Sequence, residues 1–149
     1  MEIFLRFIVI IAILAMSSSC TNDVLDSSYA TQSEVKASNA IQRGWIPAWL
    51  PSEAMNIREV HNIDTNESAL SFNLPIGTNW HPPASCKPAN AGQFTEPSFA
   101  REWLPKDISN YDFFGCPSGQ PINGNAPILQ AIAIQPGRQH IIHWRVFSR

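Results

Sequence analysis

The apolar positions change character along the chain. Residues 7–16 read FIVIIAILAM, ten apolar residues without a charge, with Arg6 just before them. A helix that spans a bilayer needs about 20 such residues, so ten suits the hydrophobic region of an export signal. Residues 21–40 are rich in Ser, Thr, Asn and Asp and hold few large apolar side chains. That pattern predicts a flexible spacer, because so little apolar area does not offset the entropy of ordering, with a weak helix as the alternative over 31–42. Residues 45–51 alternate bulky side chains with Pro47 and Pro51, which predicts an extended, ordered lead-in.

Beyond that point the period is mostly two. Leu70, Phe72 and Leu74 alternate with Ser71 and Asn73. With residues 57–63 and the turn-forming Asp64-Thr65-Asn66-Glu67, they predict a β-hairpin whose Leu70, Phe72 and Leu74 face the core. Residues 128–134 (ILQAIAI) and 140–147 (HIIHWRVF) flank Pro136-Gly137-Arg138-Gln139 and predict a second hairpin. On its return strand Ile142, Trp144 and Val146 share one face, and Ile141, His143, Arg145 and Phe147 share the other. Phe99 and Trp103 stand four apart, as on one face of a short helix over 98–104. Residues 110–114 read as a short strand, and the Pro-rich segments between as long loops. The sum is an α+β fold: a small antiparallel sheet of about four strands, built from two β-hairpins, with one short helix and long loops.

Composition narrows the class. The 149 residues are 44% hydrophobic and 15% charged, with a net charge of −2. The chain is too apolar to be disordered throughout and not basic enough for a general nucleic-acid binder. It is too short for two ordinary domains. All five Trp and all twelve Pro lie after residue 41. The expected division is a signal peptide at 1–19, a lipid-anchored flexible tether at 20–40, and one α+β domain at 41–149.

The signal-like run is followed by Ser17-Ser18-Ser19-Cys20. Small residues before a cysteine resemble the lipobox of bacterial lipoproteins, although Ser17 stands where that motif usually has Leu, Val or Ile. The resemblance implies acylation of Cys20, and Thr21 after it leans toward the outer membrane. Cleavage near Ala15-Met16-Ser17, giving a soluble exported chain, and an uncleaved anchor are the alternatives. With Cys20 acylated, Cys86 and Cys116 remain, and a disulfide between them is the favoured use in an oxidising compartment. A metal site or a catalytic thiol competes less well, since neither cysteine belongs to a C-x-x-C.

A family resemblance rests on Gly44-Trp45-Ile46-Pro47-Ala48-Trp49-Leu50-Pro51, then Ser52, Ile57, Glu59, His61 and Asp64-Thr65-Asn66. The sequence resembles bacterial envelope proteins bearing a YbbD head domain, with a G-W-[IL]-P-x-x-[IL]-P segment and a D-T-N turn. A hairpin ending in an aromatic-Trp-Arg step follows in that pattern; here the step is His143-Trp144-Arg145. The resemblance would cover most of residues 43–147. It implies an α+β domain with no established activity and no catalytic residues to carry over.

Candidate chemistry is sparse. His61, Asp64 and Glu67 offer imidazole and carboxylates, but His61 and Asp64 point to opposite faces of a hairpin, and turn formation accounts for Asp64. His140 and His143 are likewise on opposite faces. No G-x-S-x-G or phosphate-loop pattern occurs. No catalytic residue, metal ligand or cofactor is therefore assigned. Trp45, Trp49, His61 and Arg145 are the candidate binding surface, since Trp and Arg dominate recognition surfaces.

The expected function is a cell-envelope lipoprotein, more a partner-binding or structural domain than an enzyme. The expected partners are the membrane, through Cys20, and an envelope protein. The alternatives are an envelope hydrolase or glycan-binding protein using His61 and Glu59, and a secreted inhibitor-like domain. The expected location is the outer membrane facing the periplasm, or periplasmic or secreted without the lipid.

Overall fold

The computed structural model describes residues 23–117 and 130–146. The expected export segment, Cys20, residues 118–129 and Phe147 to Arg149 lie outside the described residues. The elements, in chain order, are β1 (Val24–Thr31), α1 (Gln32–Ala37), β2 (Met55–Asn62), β3 (Ser68–Asn73), β4 (Lys87–Ala89), a 3-10 turn (Ala91–Gln93), β5 (Asp112–Gly115), β6 (Gln130–Ile134) and β7 (His140–Arg145). The seven strands among the described residues form one sheet in the order β1-β2-β3-β7-β6-β5-β4. Every neighbouring pair is antiparallel.

The architecture is mostly β, which overturns the expected α+β fold of about four strands. Both expected hairpins are present as β2–β3 and β6–β7. The additional strands are at and near the edges, where pairing is made by backbone groups and side chains give little signal. The helix expected over 98–104 is absent: Phe99, Trp103 and Leu104 pack on the sheet from an irregular segment.

Residues 24–37 also correct the expected tether at 20–40. β1 pairs along its length with β2, from Val24 opposite Asn62 to Thr31 opposite Met55. Thr31 caps α1, its Oγ1 accepting from the backbone N–H of Glu34. Val35 of α1 is fully buried. The ordered domain thus begins before residue 41, and an eight-residue strand of modest hydrophobicity is held by a partner strand distant in sequence.

The sheet is covered on both faces. On one, Ile57, Leu70, Phe72, Ile132, Ile134 and Ile141 pack under Ile46, Trp49, Leu50 and Trp80. On the other, Val60, Ala69, Ala131, Ala133, Ile142 and Trp144 pack under Phe94, Phe99, Trp103, Leu104 and Ile108. The small alanines on β3 and β6 leave room for the indole of Trp144. Two covered faces explain why β3, β6 and β7 are buried almost throughout rather than at alternate positions. They also place Glu59, His61, Ser68, Ser71 and His143 inside. The Cys86–Cys116 disulfide joins the segment before β4 to the end of β5, closing 30 residues of chain.

Candidate functional site

One end of the first face is polar. Glu59 and His61 lie two apart on β2, so their side chains share that face. Across the sheet stand Ser68 of β3, opposite His61, and Arg145 of β7, opposite Ser68. The Glu59 carboxyl and His61 Nδ1 are 2.8 Å apart, and both residues are almost wholly buried.

The segment after α1 roofs this pair. Asn39 (φ 61°) ends the helix, and Gly44 (φ 76°) takes a left-handed turn that few other residues adopt. The N–H of Trp45 donates to Ala40 O at 3.1 Å, fixing the indole above β2. Trp45 stacks on His61 with ring centroids 4.1 Å apart and planes 25° apart. The Arg43 guanidinium lies 4.0 Å from the centre of the indole and donates to Ser38 O at 2.8 Å. Arg145 Nη2 donates to Gly44 O at 3.0 Å, tying this roof to β7. The result is a column of Arg43, Trp45, His61 and Glu59 that runs from solvent into the interior.

Burial governs the electrostatics of the column. It raises the Glu59 pKa to about 8, helped by the Asp26 charge and opposed by Arg145 and Arg43. Burial lowers the His61 pKa, with Arg145 and Arg43 adding to that effect. Both shifts favour neutral forms, and a protonated Glu59 would donate its O–H to His61 Nδ1. Glu59 Oε2 and His61 Nε2 are buried without a hydrogen-bond partner. The pair has the composition of an acid–base couple, yet well-formed cavities among the described residues lie elsewhere. One of about 130 Å³ lies against Trp144, Phe99 and Leu104 on the opposite face.

Of the candidate binding surface, Trp45, His61 and Arg145 meet here, whereas Trp49 does not. Trp49 lies nearer the sheet centre, against Trp80 at 5.7 Å and edge-on to His143 at 5.1 Å. His61 itself is interior, 3% exposed, rather than a surface residue. His143 is fully enclosed; burial, with a contribution from Arg145, drops its pKa to about 3, and the Gln130 amide lies 3.2 Å from its Nε2. Asp64 and Glu67 are not drawn to His61. The β2–β3 turn is held by Asn62, whose Oδ1 accepts from the N–H groups of Asp64 and Thr65, and Glu67 accepts from Ser98. Among the described residues, no group of three or more His, Cys, Asp or Glu is arranged to hold a metal.

The second face holds an arrangement that sequence reading missed. Ser71 Oγ is 2.7 Å from His140 Nε2, and Tyr111 OH is 2.9 Å from His140 Nδ1. The order is that of a nucleophile, a base and an orienting group. Burial lowers the His140 pKa and raises that of Tyr111, favouring neutral forms of both. Ser71 is only 5% exposed, however, and the neighbouring cavity at Met55, Asn73, Ile76 and His140 is not lined by it. The chain therefore reads as polar satisfaction between sheet and cover. Only the antiparallel register, Asn73 opposite His140, brings these residues together.

Residues 23–73 match the family model of the YbbD head domain. The match runs from the start of β1 to the end of β3 and includes Arg43, Trp45, Glu59 and His61. It begins earlier than the resemblance seen in the sequence and stops before the C-terminal hairpin, so His143-Trp144-Arg145 lies beyond it. The YbbD head domain match supports an envelope-associated protein and is compatible with export. Neither a curated protein sequence nor a solved structure matches the chain.

Proposed function

We propose that this chain is an exported envelope lipoprotein, anchored through Cys20, whose sheet domain binds a protein partner rather than performing catalysis. The observation that carries the reading is the Cys86–Cys116 bridge. A structural disulfide suits an oxidising compartment, and it accounts for two of the three cysteines. The third, Cys20, follows the apolar run and three serines. The YbbD head domain match points the same way. Strand β1 starts at Val24, so three residues, with an end-to-end reach of about 14 Å from Cys20 to Val24, separate the anchor from the sheet. An acylated Cys20 would hold the domain close to the headgroups. The buried Glu59–His61 pair and the occluded Ser71 argue for structure over turnover.

The test is the intact mass of protein extracted from membranes, with and without reductant. Cleavage before Cys20, an added mass of acyl chains, and a gain of two hydrogens on reduction are expected. A Cys20→Ala chain should leave the membrane fraction. Cleavage near Ser17 with no lipid would overturn the anchor.

A further inference from the structure

Among the described residues, strand β1 is the long edge of the sheet. The opposite edge, β4, is three residues long and contains Pro88. Strand β1 is eight residues long and contains no Pro, Lys or Arg; its one charged residue, Asp26, is neutralised by Arg101. In an antiparallel ladder the backbone groups of alternate residues point to the paired strand and away from it. Asp23 O accepts from Ile63 N–H on the β2 side, whereas Ala30 N–H is taken by the Glu34 carboxylate. By that alternation Val24, Asp26 and Ser28 turn their N–H and C=O groups outward.

We propose that β1 pairs with β1 of a second copy of this chain, antiparallel about a two-fold axis at Ser27, forming one continuous sheet across two molecules. This deepens the partner-binding reading by naming the partner. The register follows from the side chains. Residues facing each other must lie on the same face, so the axis passes through a residue. With the axis at Ser27, two small serines meet at the crossing. Leu25, 41% exposed in the single chain, meets Tyr29, and Asp26 meets Ser28. The alternatives are worse. An axis at Asp26 opposes two carboxylates, and an axis at Ser28 sets Asp26 against Ala30, whose N–H Glu34 already holds. The Asp26 charge is itself balanced, since its carboxylate accepts from Arg101 Nε and Nη2 at 2.7 and 2.8 Å. About six backbone hydrogen bonds would form, Ala30 contributing only its carbonyl. So small an interface gives weak association in solution. Two chains anchored in one membrane plane would meet at a far higher effective concentration.

The test is disulfide trapping of the full-length anchored protein in its membrane. Ser27→Cys should form a dimer under mild oxidation that disappears with reductant. Leu25→Cys and Ala30→Cys, whose thiols would not face their own copies, should trap several-fold less. Adding Ser28→Pro to Ser27→Cys should abolish the dimer. That proline removes an outward N–H and leaves the ladder to β2 in place, so its melting temperature should stay close to that of the parent. Equal trapping at all three positions, no trapping at Ser27→Cys, or a Ser27→Cys adduct with a different protein would each overturn the inference. The anchor is read separately by intact mass, so a monomer that still carries lipid would refute only the self-pairing.

Discussion

Replacing Glu59 by Gln should change the pH dependence of stability more than stability itself at acid pH. The glutamine keeps the size of the side chain and can donate its amide to His61 Nδ1, as the protonated carboxyl does. It removes a titration. In the unfolded chain Glu59 ionises near its ordinary value of 4.5, and in the fold it holds its proton to about 8. Between these values the folded state binds one more proton than the unfolded state, so stability falls as pH rises, at about 1.4 kcal/mol per unit. The contribution is complete below 4.5 and is lost by the time the pH passes 8. Over the whole interval this is on the order of 4–5 kcal/mol, a large part of the 5–15 kcal/mol typical of a domain. The assay is urea unfolding of the disulfide-intact protein at half-unit steps from pH 5 to 8, for the parent and E59Q side by side. His140 and His143 titrate in both proteins and cancel in the difference, while His61, which touches residue 59, is followed separately by its ring-proton shifts. The two curves should nearly meet at pH 5 and separate by roughly 3 kcal/mol between pH 5.5 and 7.5, with E59Q the more stable. Infrared spectra should show a protonated-carboxyl band in the parent at pH 6 that E59Q lacks. A separation that does not change with pH would refute the reasoning. It would mean that Glu59 does not hold its proton in the fold.

Three further outcomes follow from the same packing. Reducing the Cys86–Cys116 bridge, or replacing both cysteines by serine, should cost roughly 3–4 kcal/mol from the freed 30-residue loop, read by urea unfolding. A chain beginning at Ile41 should fail to fold, because it lacks β1, Val35 and Ala40, whereas one beginning at Asp23 should give dispersed amide resonances; equal spectra would restore the flexible-tether expectation. Trp45→Ala should open the roof over His61 and raise that imidazole's pKa toward its ordinary 6.5, followed by its ring-proton shifts against pH. Its stability cost should fall below the roughly 3–5 kcal/mol of a fully buried tryptophan, because Trp45 is half-exposed.

What the chain alone determined was local. The alternation at Leu70-Phe72-Leu74 and at Ile142-Trp144-Val146, with turn residues between the strands, specified β2–β3 and β6–β7, because period two and turn chemistry are carried by neighbouring side chains. Cysteine number and spacing indicated the bridge, and the Trp45–Pro51 segment signalled ordered packing, although it folds through turns rather than as the extended lead-in expected. Tertiary structure decided what depends on distant partners. β1 is Ser-rich and weakly apolar, and it is a strand because β2 offers backbone groups thirty residues later. Phe99 and Trp103 keep helical spacing, yet they anchor an irregular cover because the second sheet face needs an apolar lid rather than a helix. Glu59 and His61 look like surface residues on a two-sided hairpin. They become a neutral buried pair because the turn at Gly44 lays Trp45 over them, and desolvation, which no local pattern records, sets their protons.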